Sequence, residues 1–235
     1  MIPLRRLALL IPVLVAALTA AALALPTTEK QPRPKPPPLP LGGELPPPPV
    51  LKNPPEPRPS IRWRRSLAVG DPAGGRLIRG VRLPTESERH FTWDPVKRRS
   101  PNRWWRRYGT DRLVRMVLSV VREYAAAHPG APRLGIGDLS RPRGGDFGPQ
   151  FGYIGHASHQ NGLDVDVYYP RADRRERAPR YASQIDRALS QDLVDRFVAK
   201  GAAAVYVGPN TGLTGPPGRV IPLVNHDNHL HVRIP

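Results

Sequence analysis

The residues best able to do chemistry in this 235-residue chain are histidines and aspartates gathered in two short segments. Five of the seven histidines lie in these segments, and two aspartates closely follow the first two of them. The residues are His156, His159, Asp164, Asp166, His226, His229 and His231. Imidazoles and carboxylates from two separate segments can surround a metal ion when the fold brings the segments together. Because the chain has no cysteine, any such metal must be held by nitrogen and oxygen.

Strand geometry divides these residues between metal binding and catalysis. His229 and His231 are two residues apart in a predicted final strand, so both project to one face, roughly 7 Å apart. That separation is too large for both to bind one ion without distortion, so we expect one to bind the metal and the other to do chemistry. His159 and Asp166 complete a set of two histidines and one aspartate. Asp164 shares a face with Asp166 and either orients a ligand histidine or accepts a structural hydrogen bond.

Two imidazoles and one carboxylate leave one position open on a tetrahedral zinc ion. An open position filled by water is typical of hydrolytic sites, whereas structural zinc sites are closed by a fourth protein ligand. His90 and His128 stand alone in the sequence and are predicted to be ordinary polar residues.

The apolar periodicity predicts an α+β fold with a small, mainly antiparallel sheet and flanking helices. One helix begins after the N-cap Thr110 and ends near His128, and a second runs from about Ser190 to Lys200 before Gly201. The predicted strands cover residues 133–139, 163–169, 203–207 and 229–234. Residues 140–145 form a basic loop with two glycines, which either approaches a substrate or is a plain surface loop.

The N-terminal quarter of the chain is predicted to deliver and tether the folded part. Residues 1–24 contain two arginines, an apolar run and a small-x-small motif, which indicates a signal peptide or a membrane anchor. Residues 25–60 contain fifteen prolines and are predicted to be an extended linker. Residues 61–235 are predicted to form the single folded domain, exported to the cell envelope or a periplasm-like space.

The formal net charge of +17 predicts an affinity for anionic partners. Residues 61–108 alone hold thirteen Lys or Arg residues against four acidic ones. The predicted export redirects this inference from nucleic acid to anionic wall polymers, phospholipid head groups or a polymer with carboxylates. An arginine-rich bias of the whole proteome explains the charge equally well. The only predicted membrane association is through residues 1–24, if they remain attached.

The two clusters resemble those of a known family of zinc peptidases. Residues 155–166, GHASHQNGLDVD, and residues 226–231, HDNHLH, are similar to the penicillin-insensitive murein endopeptidases. That family belongs to a wider group that includes the D-Ala-D-Ala metallopeptidases. The likeness extends to residues 137–140 and 143–145 and covers roughly residues 66–235.

The resemblance implies a role for each clustered histidine. It makes His159, Asp166 and His231 the zinc ligands and His229 the candidate general base. It places His156 and His226 along the cleft, where either is an additional or alternative ligand. The chain departs from the family in two respects. It lacks the disulfides of well-known members, and it has no histidine between the two motifs, where some members carry further metal ligands.

The function that the resemblance implies is zinc-dependent hydrolysis of amide bonds in peptidoglycan cross-bridges. Basic loop residues such as Arg141 and Arg143 are candidates to bind carboxylates of the wall peptides. Two alternatives stay open. One is a D,D-carboxypeptidase or dipeptidase acting on stem peptides with the same zinc chemistry. The other is a non-catalytic basic protein that binds the cell wall.

Overall fold

The computed structural model of the chain describes residues 60–148 and 157–235. Residues 1–59, which hold the predicted signal peptide or anchor and nearly all of the predicted linker, lie outside the described part, and so does His156. Within the described ranges, no helix is both long and apolar enough to cross a bilayer.

The described residues form two α-helices and ten short strands. The helices are α1 (Asp111–Ala127) and α2 (Arg187–Ala199). The strands before α1 are β1 (Leu67–Val69), β2 (Arg76–Ile78), β3 (Val81–Arg82), β4 (His90–Thr92) and β5 (Tyr108–Gly109). The strands after α1 are β6 (Leu134–Ile136), β7 (Asp164–Tyr168), β8 (Ala204–Val207), β9 (Val220–Pro222) and β10 (His229–Arg233).

Six of these strands form the main sheet, in the order β4-β6-β7-β10-β8-β9. The three central pairings are antiparallel, and the pairing at each edge is parallel. The predicted α+β class is therefore confirmed. The prediction of a mainly antiparallel sheet holds for the centre, but the sheet as a whole is mixed. Each parallel edge pair is connected through a long intervening segment, as parallel pairing requires.

The two helices begin at side-chain caps. Thr110 Oγ1 accepts a hydrogen bond from Leu113 N at 3.2 Å, so α1 begins where the sequence predicts. Asp186 Oδ1 accepts one from Leu189 N at 3.0 Å, so α2 begins three residues before the predicted start at Ser190. The apolar pattern is strongest from Leu193 onward, and it therefore missed the first turn.

Among the described residues, a hydrophobic core cluster lies between the helices and one face of the main sheet. The apolar residues of α1 and α2 share one buried cluster with Val165 and Val167 of β7 and with Leu230 and Val232 of β10. Since side chains alternate along a strand, this packing turns the intervening residues to the opposite face. The aspartates of β7 and the histidines of β10 therefore lie together on the side of the sheet away from the core cluster.

Candidate metal centre

The register of the two central strands places the predicted site residues opposite one another. β7 and β10 pair so that His231 lies opposite Asp166 and Arg233 lies opposite Asp164. Directly opposed residues of an antiparallel pair project to the same face, with β-carbons about 5 Å apart. One short patch of the sheet therefore presents acidic and basic side chains to each other.

His159 reaches this patch from the loop that precedes β7. Its side chain is fully buried, and its backbone has a φ of 69°, in the left-handed region. A non-glycine residue held in a sparsely populated conformation costs about 1–3 kcal/mol and persists only where its surroundings fix it. Its backbone N–H points to Asp164 Oδ2 at 3.4 Å. The loop is thus held in the conformation that turns the His159 ring towards the sheet.

Three candidate ligand atoms converge at this point. The ligand atoms of His159, Asp166 and His231 all lie within 4.8 Å of one another. His159 Nε2 is 3.2 Å and His231 Nδ1 is 3.6 Å from Asp166 Oδ1, and the two imidazole centroids are 4.6 Å apart. All three residues are buried.

The remaining ring nitrogens fix how each imidazole is oriented. His159 Nδ1 lies 3.1 Å from the carbonyl oxygen of Leu139, and His231 Nε2 lies 2.8 Å from Asp164 Oδ1. Both partners are acceptors, so these nitrogens carry the protons and the other nitrogen of each ring is the basic one. The basic nitrogens are the two that point towards Asp166. Hydrogen bonds of this kind typically orient metal-binding histidines, and the three residues therefore fit a bound divalent metal.

Asp164 is the anionic partner of His231. Burial alone raises the pKa of this carboxyl, but it is outweighed by the hydrogen bond with His231, by the charges of His159 and His231 when their imidazoles are protonated, and by the charge of Arg233. The net effect lowers the pKa of Asp164 to about 2. Arg233 Nε donates to the same oxygen at 2.7 Å. Asp164 is therefore ionised at neutral pH and makes the facing imidazole a stronger base.

Residues 137–139 hold both candidate ligands of the first cluster, His159 and Asp166, through their backbone. Gly137 N donates to Asp166 O at 2.8 Å, and Asp166 N donates to Asp138 O at 2.9 Å. The next carbonyl, that of Leu139, accepts the bond from His159. In the sequence, only the family resemblance indicated a role for residues 137–139 at the site, because a contact made by a backbone carbonyl does not depend on residue type.

Behind this segment lies a buried ion pair that the sequence analysis missed. Arg106 Nε and Nη2 donate to Asp138 Oδ1 and Oδ2 at 2.6 and 2.5 Å, and both side chains are fully buried. Asn102 Nδ2 donates to Asp138 Oδ1 at 2.9 Å and to the carbonyl of Gly137 at 3.0 Å. The pair fixes residues 137–139, which contact the candidate ligands. Nothing in one sequence distinguishes Arg106 from the many arginines around it.

The glycine loop approaches the chain's own backbone next to His159. Gly145 N donates to the carbonyl of Gln160 at 2.8 Å. A β-carbon added to Gly144, which has a φ of +71°, would stand 2.1 Å from the same carbonyl oxygen. The loop therefore packs closely against the protein's own backbone, and its approach to a substrate stays a prediction. Arg141 Nη1 is bonded to the carbonyl of Asp146, and Arg143 is exposed.

His229 and His226 lie beside the three candidate ligands. His229 Nε2 is 3.6 Å from Asp166 Oδ1, and its Nδ1 is 2.6 Å from Asn228 Oδ1. The ring of His226 has its centroid 4.7 Å from that of His229 and 5.8 Å from that of His231. Both rings are partly exposed, unlike the three candidate ligands, which are buried. This is the position from which a base can meet both solvent and a substrate.

Asp227 stabilises the turn that contains His226. Its carboxylate accepts hydrogen bonds from Asn210 N at 3.1 Å and from Asn210 Nδ2 at 2.7 Å. A β-carbon on Gly208 would stand 2.5 Å from the backbone of Asp227, so the 208–210 loop packs directly on this turn. No pattern in the sequence predicts a role for Gly208 or Asn210.

The two isolated histidines have structural partners away from the cluster. His90 is buried and hydrogen-bonded to Ser87 Oγ and to the carbonyl of Pro84, and burial lowers its pKa. His128 Nε2 lies 3.1 Å from Asp192 Oδ2.

Comparison with known proteins identifies similar sequences. Residues 68–210 match the family model described as penicillin-insensitive murein endopeptidase, a range that includes His159 and Asp166 and ends before His229. The chain is 26% identical over 196 residues to a protein of that name from Haemophilus influenzae, covering 72% of this chain and 64% of the relative. It is 31% identical over 129 residues to one from Escherichia coli O157:H7, covering 55% of this chain and 40% of the relative. The chain thus spans less than two thirds of either relative's length.

Proposed function

This chain belongs to the penicillin-insensitive murein endopeptidase family, and we propose that it is a zinc-dependent endopeptidase that hydrolyses amide bonds in peptidoglycan cross-bridges. The observation that carries the proposal is the convergence of His159, Asp166 and His231 within 4.8 Å. Two relatives that carry the name of such an enzyme support the choice of substrate.

Zinc is the proposed cofactor because the donor set consists of two neutral imidazoles and one carboxylate. Zn²⁺ is commonly bound by such nitrogen and oxygen ligands, and three protein ligands are typical of its catalytic sites. When bound, zinc supplies Lewis-acid polarisation of the amide carbonyl and makes water acidic enough to react near neutral pH.

His229 is the proposed general base. Its Nδ1 faces the Oδ1 acceptor of Asn228 at 2.6 Å, which places the proton on Nδ1 and leaves Nε2 as the basic nitrogen. Nε2 lies 3.6 Å from Asp166 Oδ1, at the edge of the ligand group. An imidazole there can take the proton of an attacking water, since its ordinary pKa lies near neutrality.

The proposed hydrolysis balances with these residues alone as proton carriers. The water oxygen bonds to the carbonyl carbon, its proton passes to His229, and the carbon–nitrogen bond breaks. The proton then goes to the leaving amine from His229, either directly or by way of His226, whose ring centroid lies 4.7 Å from that of His229. Asp164 keeps the ring of His231 fixed throughout through the 2.8 Å hydrogen bond.

The proposal is tested by digestion of purified, cross-linked sacculi, followed by mass analysis of the released fragments. We expect cross-bridge cleavage by the wild-type protein, loss of cleavage with a chelator and recovery on adding zinc. His229→Ala should retain zinc and lose most activity, because it removes the base and none of the three proposed ligands. His128→Ala is the matched control, since His128 lies outside the cluster. A His229→Ala protein that cleaves at the wild-type rate would refute the proposed base.

The same digestion separates the alternatives left open by the sequence. Release of terminal D-alanine without loss of cross-links would favour a D,D-carboxypeptidase. Salt-sensitive binding to sacculi without products would favour a non-catalytic wall-binding protein.

The proposed substrate implies export to the cell envelope. Residues 1–24 are the proposed delivery signal or anchor, and residues 25–60 are the proposed linker to the peptidase domain, residues 61–235. Anionic wall polymers are proposed as secondary partners of the basic surface.

A further inference from the structure

A cavity of about 710 Å³ is lined in part by two neighbours of His229. Its lining includes Asn228, whose Oδ1 lies 2.6 Å from His229 Nδ1, and Tyr168, whose ring centroid is 6.0 Å from that of His229. The volume lies within the range of about 300–1,000 Å³ typical of pockets that bind small organic ligands. A substrate with its scissile bond at His229 therefore has room to continue into this cavity.

The lining of the cavity is strongly basic. Four arginines line it, and among the described residues of the lining none is acidic. The arginines are Arg98, Arg171, Arg177 and Arg180. A cleft lined by charge of one sign attracts ligands of the opposite sign, and arginine binds carboxylates through two parallel hydrogen bonds.

The four arginines differ in whether they form ion pairs with acidic residues of the protein itself. Arg171 is nearly buried and donates to Asp173 Oδ1 at 2.7 Å, and Arg177 lies 4.0 Å from the same carboxylate. Arg98 and Arg180 are exposed and, within residues 60–148 and 157–235, have no ion-pair partner. These two guanidinium groups are therefore the ones available to a ligand.

One wall of the cavity is a turn organised by the buried Asp94. Its Oδ1 accepts hydrogen bonds from the backbone of Val96 and Lys97 at 2.9 and 3.0 Å, and its Oδ2 is paired with Arg103 at 2.8 Å. This network holds the turn that presents Arg98 on the cavity side.

Gln184 holds another part of the cavity lining in place. Its Oε1 accepts hydrogen bonds from Arg171 Nη1 at 2.9 Å and from the backbone N–H of Arg180 at 2.8 Å. Tyr181, which follows Arg180, also lines the cavity, and so does Trp93. The cavity thus combines two available cations with flat apolar surfaces on which the body of a peptide can lie.

We propose that this cavity is a substrate subsite in which Arg98 and Arg180 bind a free carboxylate of the peptide that is cleaved at His229. The inference rests on the proposed function and adds a substrate class to it. The preferred substrates are acidic peptides with an ionised carboxylate on the part of the chain that extends past Asn228 and Tyr168. Because the cavity lies away from the bond that is cleaved, these contacts change the affinity for the substrate and leave the rate of the chemical step unchanged.

The test compares two cross-linked muropeptide dimers that differ only in whether their free carboxylates are converted to carboxamides. We expect the wild-type KM to be about three- to tenfold lower for the carboxylate form, with equal kcat, as two partly solvated ion pairs would give. Arg98→Gln/Arg180→Gln should bind both dimers alike, with unchanged kcat and zinc content. Arg62→Gln/Arg122→Gln, two exposed arginines outside the cavity, is the matched control and should keep the wild-type preference.

The outcomes distinguish this inference from the proposed function. A wild-type protein that cleaves both dimers with the same KM, or a cavity variant that keeps the preference, overturns the carboxylate subsite and leaves the peptidase intact. If no dimer is cleaved, the proposed function fails, and the dissociation constants of the same two dimers still decide the subsite. Equal dissociation constants would overturn it, and a ratio abolished by Arg98→Gln/Arg180→Gln would support it.

Discussion

Asp164→Asn tests how the anionic partner of His231 contributes to metal binding. The carboxylate accepts from His231 Nε2 at 2.8 Å, from Arg233 Nε at 2.7 Å and, through its other oxygen, from the backbone of His159 at 3.4 Å. Asparagine preserves the shape and one acceptor oxygen. It removes the negative charge and turns an N–H donor towards the His159 N–H.

The size of the effect follows from these contacts. With a pKa of about 2, Asp164 is fully ionised at neutral pH, so the substitution removes a full charge beside the proposed ligand. Loss of a partner of a metal-binding histidine typically weakens metal affinity about 10–100-fold. That change corresponds to about 1.4–2.7 kcal/mol of binding free energy. We therefore expect the zinc dissociation constant to rise by one to two orders of magnitude.

The assay is competition for zinc with a chromophoric chelator at constant pH and ionic strength. Circular dichroism and the unfolding midpoint of the metal-free protein establish that the variant folds. Asp195→Asn is the matched control, because Asp195 is exposed on α2 and the chemical change is the same. A folded Asp164→Asn protein with a zinc dissociation constant within twofold of wild type would refute the reasoning.

Three further outcomes are expected from stability measurements. Asp138→Asn breaks the fully buried pair with Arg106 and should lower the free energy of unfolding by about 3–5 kcal/mol in urea titrations, so a loss below 1 kcal/mol would contradict the role of that pair. Gly144→Ala, with its β-carbon against the carbonyl of Gln160, should cost at least about 1–3 kcal/mol, and an unchanged thermal midpoint would show that the loop adapts freely. Zinc at a hundred times its dissociation constant should stabilise the folded protein by about 2.7 kcal/mol, an increase that a chelator reverses and that is absent in His159→Ala.

Local sequence patterns were sufficient for much of the fold. The cap at Thr110 and the apolar row that follows it place α1 correctly, because helix period and capping act within a few residues. The start of α2 was predicted three residues late, since the cap at Asp186 precedes the apolar pattern. The parallel edges of the sheet were not predicted, because strand order depends on long-range pairing that no local pattern records.

The sequence also indicated which residues gather at the site, but not how they are held. Alternation along β7 and β10 places four residues on one face, namely Asp164, Asp166, His229 and His231. The register that sets His231 opposite Asp166 is decided by the tertiary structure. The carbonyl of Leu139 orients the His159 ring. Because every residue has a backbone carbonyl, the sequence does not indicate which one makes this contact.

The chain by itself therefore determined the kinds of candidate ligand, their spacing and the face of each strand that carries them, since these follow from residue type and the two-residue period of a strand. Tertiary structure alone decided that the two clusters meet, that Arg106 and Asp138 lie beneath them, and that Arg98 and Arg180 face one cavity beside His229. The physical reason is that such contacts join residues far apart in the chain, and their geometry is fixed by packing of the whole domain.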